Sequence, residues 1–284
     1  AYGHVALSDT YSHCDPSRQE RPCDYFHINS ISLDPWGDGN FLISARNTWA
    51  GYEIDHNTGQ IMWRLGGKHS SFKMGPGTGT AYQHDIRWQP DGTITAFDDG
   101  AVPKAHSQSR AIHEQINWHN RTLTLTGRDV RSPAILTGSQ GNDQTLPEGG
   151  SFVGWGEQPY FTEFSPTGQT LYEATIPAPG ESYRAYTFPW TGTPASPPSV
   201  AVMAEPAAGA QTTSIVYASW NGATDVSAWR VLAGEDSAHL SPVATAPLSG
   251  FESAIPVHSS QQDFAVQALS PTGTVLGTSS PVKR

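Results

Sequence analysis

The stretch FHINSISLDPWGDGNFLISARNTWAGYEIDHNTGQIMWRLGG, residues Phe26–Gly67, sets the reading of the chain. It opens on a polar cluster, His27-Ile28-Asn29, and passes through a short apolar run to Asp38-Gly39-Asn40. The largely apolar FLISAR follows, then two more β-like runs flanking Asn57-Thr58-Gly59. Gly and Asn between such runs are hairpin chemistry, because they tolerate the positive φ that tight turns require. The same order returns twice. QHDIRWQPDGTITAFDDG (Gln83–Gly100) continues as RAIHEQINWHNRTLTLTGRDV, opens on His84-Asp85 and turns at Asp91-Gly92 and Asn120-Arg121. SQGNDQTLPEGGSFVGWGEQPYFTEFSPTGQTLYEATI (Ser139–Ile176) opens on Gln140-Gly141-Asn142 and turns at Glu148-Gly149-Gly150 and Pro166-Thr167-Gly168. His27 and His84 are 57 positions apart, and His84 and Gln140 are 56 apart. The insertion AVPKAHSQSR (101–110) accounts for part of that length.

Four antiparallel strands per repeat predict an all-β fold of β-propeller blades near 25–67, 82–130 and 138–177. In a propeller the innermost strands line a central channel, so equivalent positions of successive blades converge. His27, His84 and Asn142 are therefore expected near one another, with Arg46 and Asp98 or Asp99 reaching the same mouth. Three blades do not close a ring, which takes about four to eight. The ring is therefore expected to be completed by an N-terminal propeller segment, as a separate chain or a missing fragment. The opening AYGHVALSDTYSHC, with no initiator Met and no signal peptide, fits that expectation. The bland alternative is that the runs are ordinary hairpins of a sandwich.

Composition agrees with an all-β reading and bounds the function. Gly (28) and Pro (22) are abundant, Trp, Tyr and Phe number 9, 10 and 10, and only 15% of residues are charged. The net charge of −10 argues against a nucleic-acid binder, because phosphate backbones are held by clustered Lys and Arg. No apolar run approaches the ~20 residues of a membrane span. The two cysteines, Cys14 and Cys23, flank a short polar loop. They are either a local disulfide, implying an oxidising and extracellular location, or two free thiols. No second cysteine pair and no Asp-x-Asp-x-Asp loop is present, so no metal site is expected. Asn120-Arg121-Thr122 is a glycosylation sequon of a kind common by chance.

The Pro-rich stretch from Phe188 to Pro198 reads as a linker. It divides a propeller portion, 1–195, from a C-terminal domain, 196–284. There SIVYASWNG, VSAWRVLAG, FESAIPV and DFAVQALSPTG are short strands, with Trp220 and Trp229 as core anchors. Their spacing and ending look like a fibronectin type III module, a β-sandwich.

In order, DYFHINSISLD, GNFLISARNTWAGYEID, TGQIMWRLGG, AYQHDIRWQPDG, TAFDDGA and SQGNDQTLPEGGSFVGWGEQPYFTEF resemble the arylsulfotransferase family of secreted six-bladed propellers. The resemblance covers about residues 20–190, and the segment after it resembles the tail of the actinobacterial and fungal branch. It implies transfer of a sulfuryl group from a phenolic sulfate to a phenolic acceptor, with no nucleotide sulfate donor and no cofactor, through a sulfohistidine. The family's nucleophilic histidine falls on His84, the histidine of its HINS segment on His27 and its arginine on Arg46. A further family histidine belongs to an upstream blade outside this sequence.

The chemistry of these residue types fits that implication. A neutral imidazole is a competent nucleophile near pH 7. Arg46 would hold sulfate oxygens in its planar fork of donors, and His27 would donate to those oxygens or carry the phenol proton. Alternatively, Arg46 merely pairs with Asp98 or Asp99. Asp85 is a weak candidate to fix the His84 tautomer, since adjacent strand residues point to opposite faces. Asn29 and Asn142 either contact substrate or tie blade ends by hydrogen bonds. Trp49 is a candidate for stacking on an aryl substrate, and Trp36, Trp63, Trp88, Trp118 and Trp155 read as core. His4, His13, His56, His69, His106, His113, His119 and His258 follow no repeat logic and read as loop or surface. Two other functions compete: a non-catalytic secreted propeller that binds a protein, glycan or anion, and a hydrolase using the same histidines.

Overall fold

In the computed structural model, which describes residues 3–14, 23–204 and 213–284, the protein is all-β, 43% strand and 2% helical. Two compact units, Ala1–Thr187 and Phe188–Arg284, divide the chain.

The first unit holds three sheets in chain order, antiparallel except for the parallel pairing of the short β5 with β9. Strands β1 (Ile28–Leu33), β2 (Phe41–Ala45), β3 (Ala50–Ile54) and β4 (Ile61–Gly66) pair consecutively. The second sheet has β5 (Lys73–Met74), β6 (His84–Trp88), β7 (Ile94–Asp98), β8 (Arg110–Asn117) and β9 (Thr122–Asp129), in the order β5-β9-β8-β7-β6. The third is the meander β10 (Asn142–Thr145), β11 (Ser151–Gly154), β12 (Tyr160–Phe164) and β13 (Thr170–Thr175). Turn chemistry explains the hairpins. Asp34, buried before the first turn, accepts backbone N–H bonds from Trp36, Gly37 and Asp38 on one oxygen and from Asn40 on the other. Asp55 does the same for Asn57 and Thr58.

Apolar faces join the sheets. Leu42, Trp63 and Leu65 of the first meet Ile86, Trp88, Ile94, Ile112 and Leu123 of the second. Phe97 and Ala111 of the second meet Val153, Trp155 and Phe164 of the third. The other face of the first sheet carries Ile43 and Tyr52, packed with Val5 and Phe26, yet Ile31 and Leu33 on its first strand are 61% and 70% exposed. The expectation that Trp36 and Trp118 are core residues is corrected, since they are 55% and 43% exposed. They lie in the β1–β2 and β8–β9 connections and cap the buried indoles from outside, Trp36 edge-on to Trp88 at 4.8 Å and Trp118 to Trp63 at 5.9 Å. Cys14 and Cys23 form the disulfide, and the polar loop between them (15–22) lies outside the described residues.

In the second unit, β14 (Ser199–Ala204), β15 (Thr213–Ser219) and β18 (Ser253–His258) form one sheet. The other runs β17 (Ser241–Pro247), β16 (Ala228–Gly234), β19 (Asp263–Leu269) and β20 (Val275–Thr278), with β21 (Val282–Lys283) also on β19. Strict alternation in β15 and β16 sends Val216, Ala218, Trp229 and Val231 into a core shared with Val257, Phe264 and Val266. Trp229 is 1% exposed, whereas Trp220 is partly buried at the edge of that core, its indole N–H donating to the Ser196 carbonyl at 2.7 Å.

One polar group sits among the apolar contacts of the first two sheets. Glu53 is buried on β3 and accepts the Trp88 indole N–H at 3.1 Å. Burial pushes its pKa up to about 7; the Trp88 bond opposes this and Asp34 adds to it. The folded value lies above the unfolded one, so stability is lost as pH rises through about 7. Glu53→Gln keeps an acceptor for the indole and removes the ionisation. Thermal unfolding should therefore show a higher Tm for the variant at pH 8 and an unchanged Tm at pH 4, below the unfolded value of 4.5.

Candidate functional site

Strands β1 and β10 both pack against β6, so the opening residues of the three sheets come together. The backbone there is unusual. Of the six non-glycine residues with positive φ among the described residues, five lie at these openings or just before β3: His27, Trp49, Tyr82, Asp85 and Gln140. Each left-handed residue costs on the order of 1–3 kcal/mol unless its surroundings enforce it, and such strain concentrates at functional sites.

His84, first in β6, is 3% exposed. Its Nδ1 lies 2.8 Å from Oδ2 of Asp99, the residue following β7, and its Nε2 accepts the backbone N–H of Gln140 at 3.2 Å. That second bond fixes the tautomer. A nitrogen that accepts cannot carry the proton, so Nδ1–H donates to Asp99 and Nε2 holds the lone pair. Burial first, then the charges of Arg46, His27 and Arg184, lower the His84 pKa to about 3. The ring is thus neutral through the physiological range. Asp99 is itself fully buried, which raises its pKa well above the carboxylate range against the opposing charge of Arg46.

Alternation along the chain decides which acid does what. Asp98 points the other way and is a structural peg, bonded to the Ala81 N–H (2.8 Å), His106 Nδ1 (2.8 Å) and Arg110 Nε (2.7 Å). Asp85 does not touch His84; its partners are Arg87 Nε (2.7 Å) and Arg184 Nη2 (3.3 Å). Asp99, not Asp85, is therefore the acid at Nδ1 of His84, and the weak role considered for Asp85 is corrected.

Arg46 follows β2, and its guanidinium lies over the Tyr82 ring at 4.7 Å. Its Nη1 donates to Asn47 Oδ1 (3.0 Å) and its Nη2 to the Gly138 carbonyl (2.7 Å). These bonds leave N–H groups of the fork uncommitted. No ion pair joins it to Asp98 or Asp99 among the described residues, which disposes of that alternative. His27 precedes β1, is exposed, and bonds Asp24 through Nδ1.

The two asparagines are buried, and each amide both donates and accepts a bond to backbone. Asn29 donates to the Gln83 carbonyl at 2.8 Å and accepts from the Asp85 N–H at 3.3 Å. Asn142 brackets Ala185, donating to its carbonyl and accepting from its N–H, both at 2.7 Å. Each amide ties a first strand to the segment beside it. Trp49 stacks face to face on Tyr11 at 3.7 Å and meets Tyr82 edge-on at 5.1 Å. His113 is corrected from a loop or surface residue to a β8 residue whose Nε2 is 3.0 Å from Asp143 Oδ2, linking the second and third sheets. Burial is the largest single influence and lowers its pKa, but Asp143, Asp129 and Asp91 together outweigh it and raise the value.

Residues 182–187 complete the site, and no repeat signal marks them. Arg184 Nη2 donates to the Asn29 carbonyl at 2.6 Å, and the Tyr183 ring lies 6.4 Å from the His84 ring with the planes at 85°. A separate cleft of about 740 Å³, lined by His4, Asp9, Tyr25, Arg64 and His69 among others, contains none of these groups. Its Arg64 and His69 face Asp9 at 3.7 and 3.4 Å.

Among solved structures, the chain is similar to a protein of unknown function from Bacteroides caccae, at 10% identity over 89% of this chain and 81% of that one, with a TM-score of 0.36. It is similar to the same degree to Kuenenia stuttgartiensis hydrazine synthase, at 10% identity over 93% and 68% of the two chains, TM-score 0.36. No curated protein matches. The model of the arylsulfotransferase (ASST) family matches residues 5–176, well over half the chain, which therefore belongs to that family.

Proposed function

We propose that the protein is an aryl sulfotransferase that works through a sulfohistidine on His84. The observation that carries the reading is the Asp99–His84–Gln140 arrangement, which leaves an unprotonated Nε2 on a histidine held neutral. In the first half-reaction Nε2 attacks the sulfur of an aryl sulfate. The N–S bond forms, the S–O bond to the aryl group breaks, and the phenolate departs. In the second, the oxygen of a phenol attacks the same sulfur, the N–S bond breaks, and the phenol proton passes to a base, for which His27 is the candidate. Displacement at sulfur spreads charge over the transferring oxygens, so positioning and electrostatics dominate, as in phosphoryl transfer. The uncommitted N–H groups of Arg46 suit those oxygens. The Gln140 N–H, released as Nε2 attacks, is a further donor to the group that replaces it.

The reading extends to architecture. The three sheets are consecutive blades of a propeller, supported by their meander order and the adjacency of β1, β6 and β10. The exposed Ile31 and Leu33 suit the packing of an upstream propeller segment against the first sheet. The second unit is a fibronectin type III-like sandwich, supported by its β14-β15-β18 and β17-β16-β19-β20 sheets. The disulfide suits a secreted protein. Asn29, Asn142 and Trp49 line the substrate pocket in this reading, each amide tied to neighbouring backbone and one indole face resting on Tyr11. The 3% exposure of His84 favours a second reading, a non-catalytic propeller binding an anionic ligand at Arg46.

Two measurements separate these. Incubation with 4-nitrophenyl sulfate and a phenol should give transfer product in wild type and at least about a hundredfold less in His84→Asn, and peptide mass spectrometry should find the sulfuryl group on His84. Release of 4-nitrophenol that is equally fast without the phenol would indicate hydrolysis, and full turnover in the variant would reject the sulfohistidine. The donor half-reaction should also be independent of pH from about 5 to 8, because a histidine lowered to about 3 does not gain a proton there. An inflection near 6.5 would indicate an unperturbed histidine.

A further inference from the structure

We propose that Tyr183, outside the family-matched residues, is the aryl-recognition residue of the His84 site. The inference rests on the sulfotransfer reading and deepens it by naming what holds the ring. An aromatic donor needs an accessible aromatic face near the histidine, and the other candidates are taken. Trp49 has one face covered by Tyr11 at 3.7 Å. Tyr82 is 3% exposed and carries the Arg46 guanidinium. Tyr183 also has a guanidinium near it, Arg184 at 5.4 Å from the ring centre, but it is 52% exposed and lies 6.4 Å from the imidazole, ring centre to ring centre.

Its placement is held from several directions. The main-chain carbonyl accepts the Gly141 N–H at 3.0 Å, and the phenol OH donates to the Asn29 carbonyl at 3.4 Å. The next residue is clamped harder: Arg184 donates to that same carbonyl at 2.6 Å and pairs with the buried carboxylate of Asp85. Asp85 thereby acquires a role as the anchor of the residue beside the tyrosine. Gly141 is itself required, because a Cβ there would meet the Phe97 ring at 2.4 Å. A half-exposed ring fixed at its backbone and tip offers a low-entropy stacking surface, of the kind that discriminates aryl from alkyl groups.

The test is equilibrium binding to the intact protein in a His84→Asn background, read by calorimetry, with 4-nitrophenyl sulfate and propyl sulfate as probes. Tyr183→Leu should weaken the aryl sulfate about tenfold while leaving the alkyl sulfate within about twofold, and Tyr183→Phe should bind both as the parent does. An unchanged aryl affinity in Tyr183→Leu, equal losses for the two probes, or no aryl binding by the parent would overturn the proposal. If no sulfohistidine forms in the wild type but the Tyr183-dependent preference persists, the transfer reading fails and the aryl site stands.

Discussion

The hydrogen-bonded chain from Asp99 through His84 to the Gln140 amide is the constraint on which the site depends. Two of its members belong to one sheet and the third to the next, so its geometry is a statement about the junction between sheets. That junction is held by Phe97, Ala111, Val153, Trp155 and Phe164. The Gln140 amide can approach the imidazole only because the following residue is glycine, pressed against the Phe97 ring and held with φ at +100°. Packing thus determines protonation state: the distance at which an amide meets Nε2 selects the tautomer, and burial of the ring keeps it neutral.

Electrostatically the site runs against the whole. The chain carries a net charge of −10, but Arg46, Arg184 and His27 surround His84 closely enough to lower its pKa. Two buried acids beside them are pulled in opposite directions by burial and by arginine charge. Asp85 is raised by burial and lowered by Arg87 and Arg184, and Asp99 is raised by burial and lowered by Arg46. The charge of Arg46 and Arg184 beside a neutral imidazole suits the anionic substrate proposed for the site. Its neutral histidine also remains nucleophilic in mildly acidic surroundings.

Much of this was legible in the residues, and the exceptions have physical causes. Repeat positions brought His84 to a shared centre because equivalent strands sit side by side. Arg46 was legible through its place after the second strand of its repeat. Asp99 was missed as the acid partner of His84, for which only Asp85 was considered, because a one-residue offset reverses a side chain and no pattern in the sequence reports which face is inward. Tyr183 and Arg184 left no signal, since they lie in irregular backbone without the turn and strand order that marks the repeats. Trp36 and Trp118 were misread because an aromatic in a connection can cap a core as readily as fill it. His113 was misread because its partner, Asp143, belongs to the next sheet.

The central claim is a statement about one proton, and nitrogen NMR of the imidazole reads it directly. In protein labelled with ¹⁵N at histidine, His84 should give the pattern of a neutral ring protonated at Nδ1, with no change between about pH 5 and 8. Signals of the Nε2–H tautomer, or a titration midpoint near 6.5, would contradict the account.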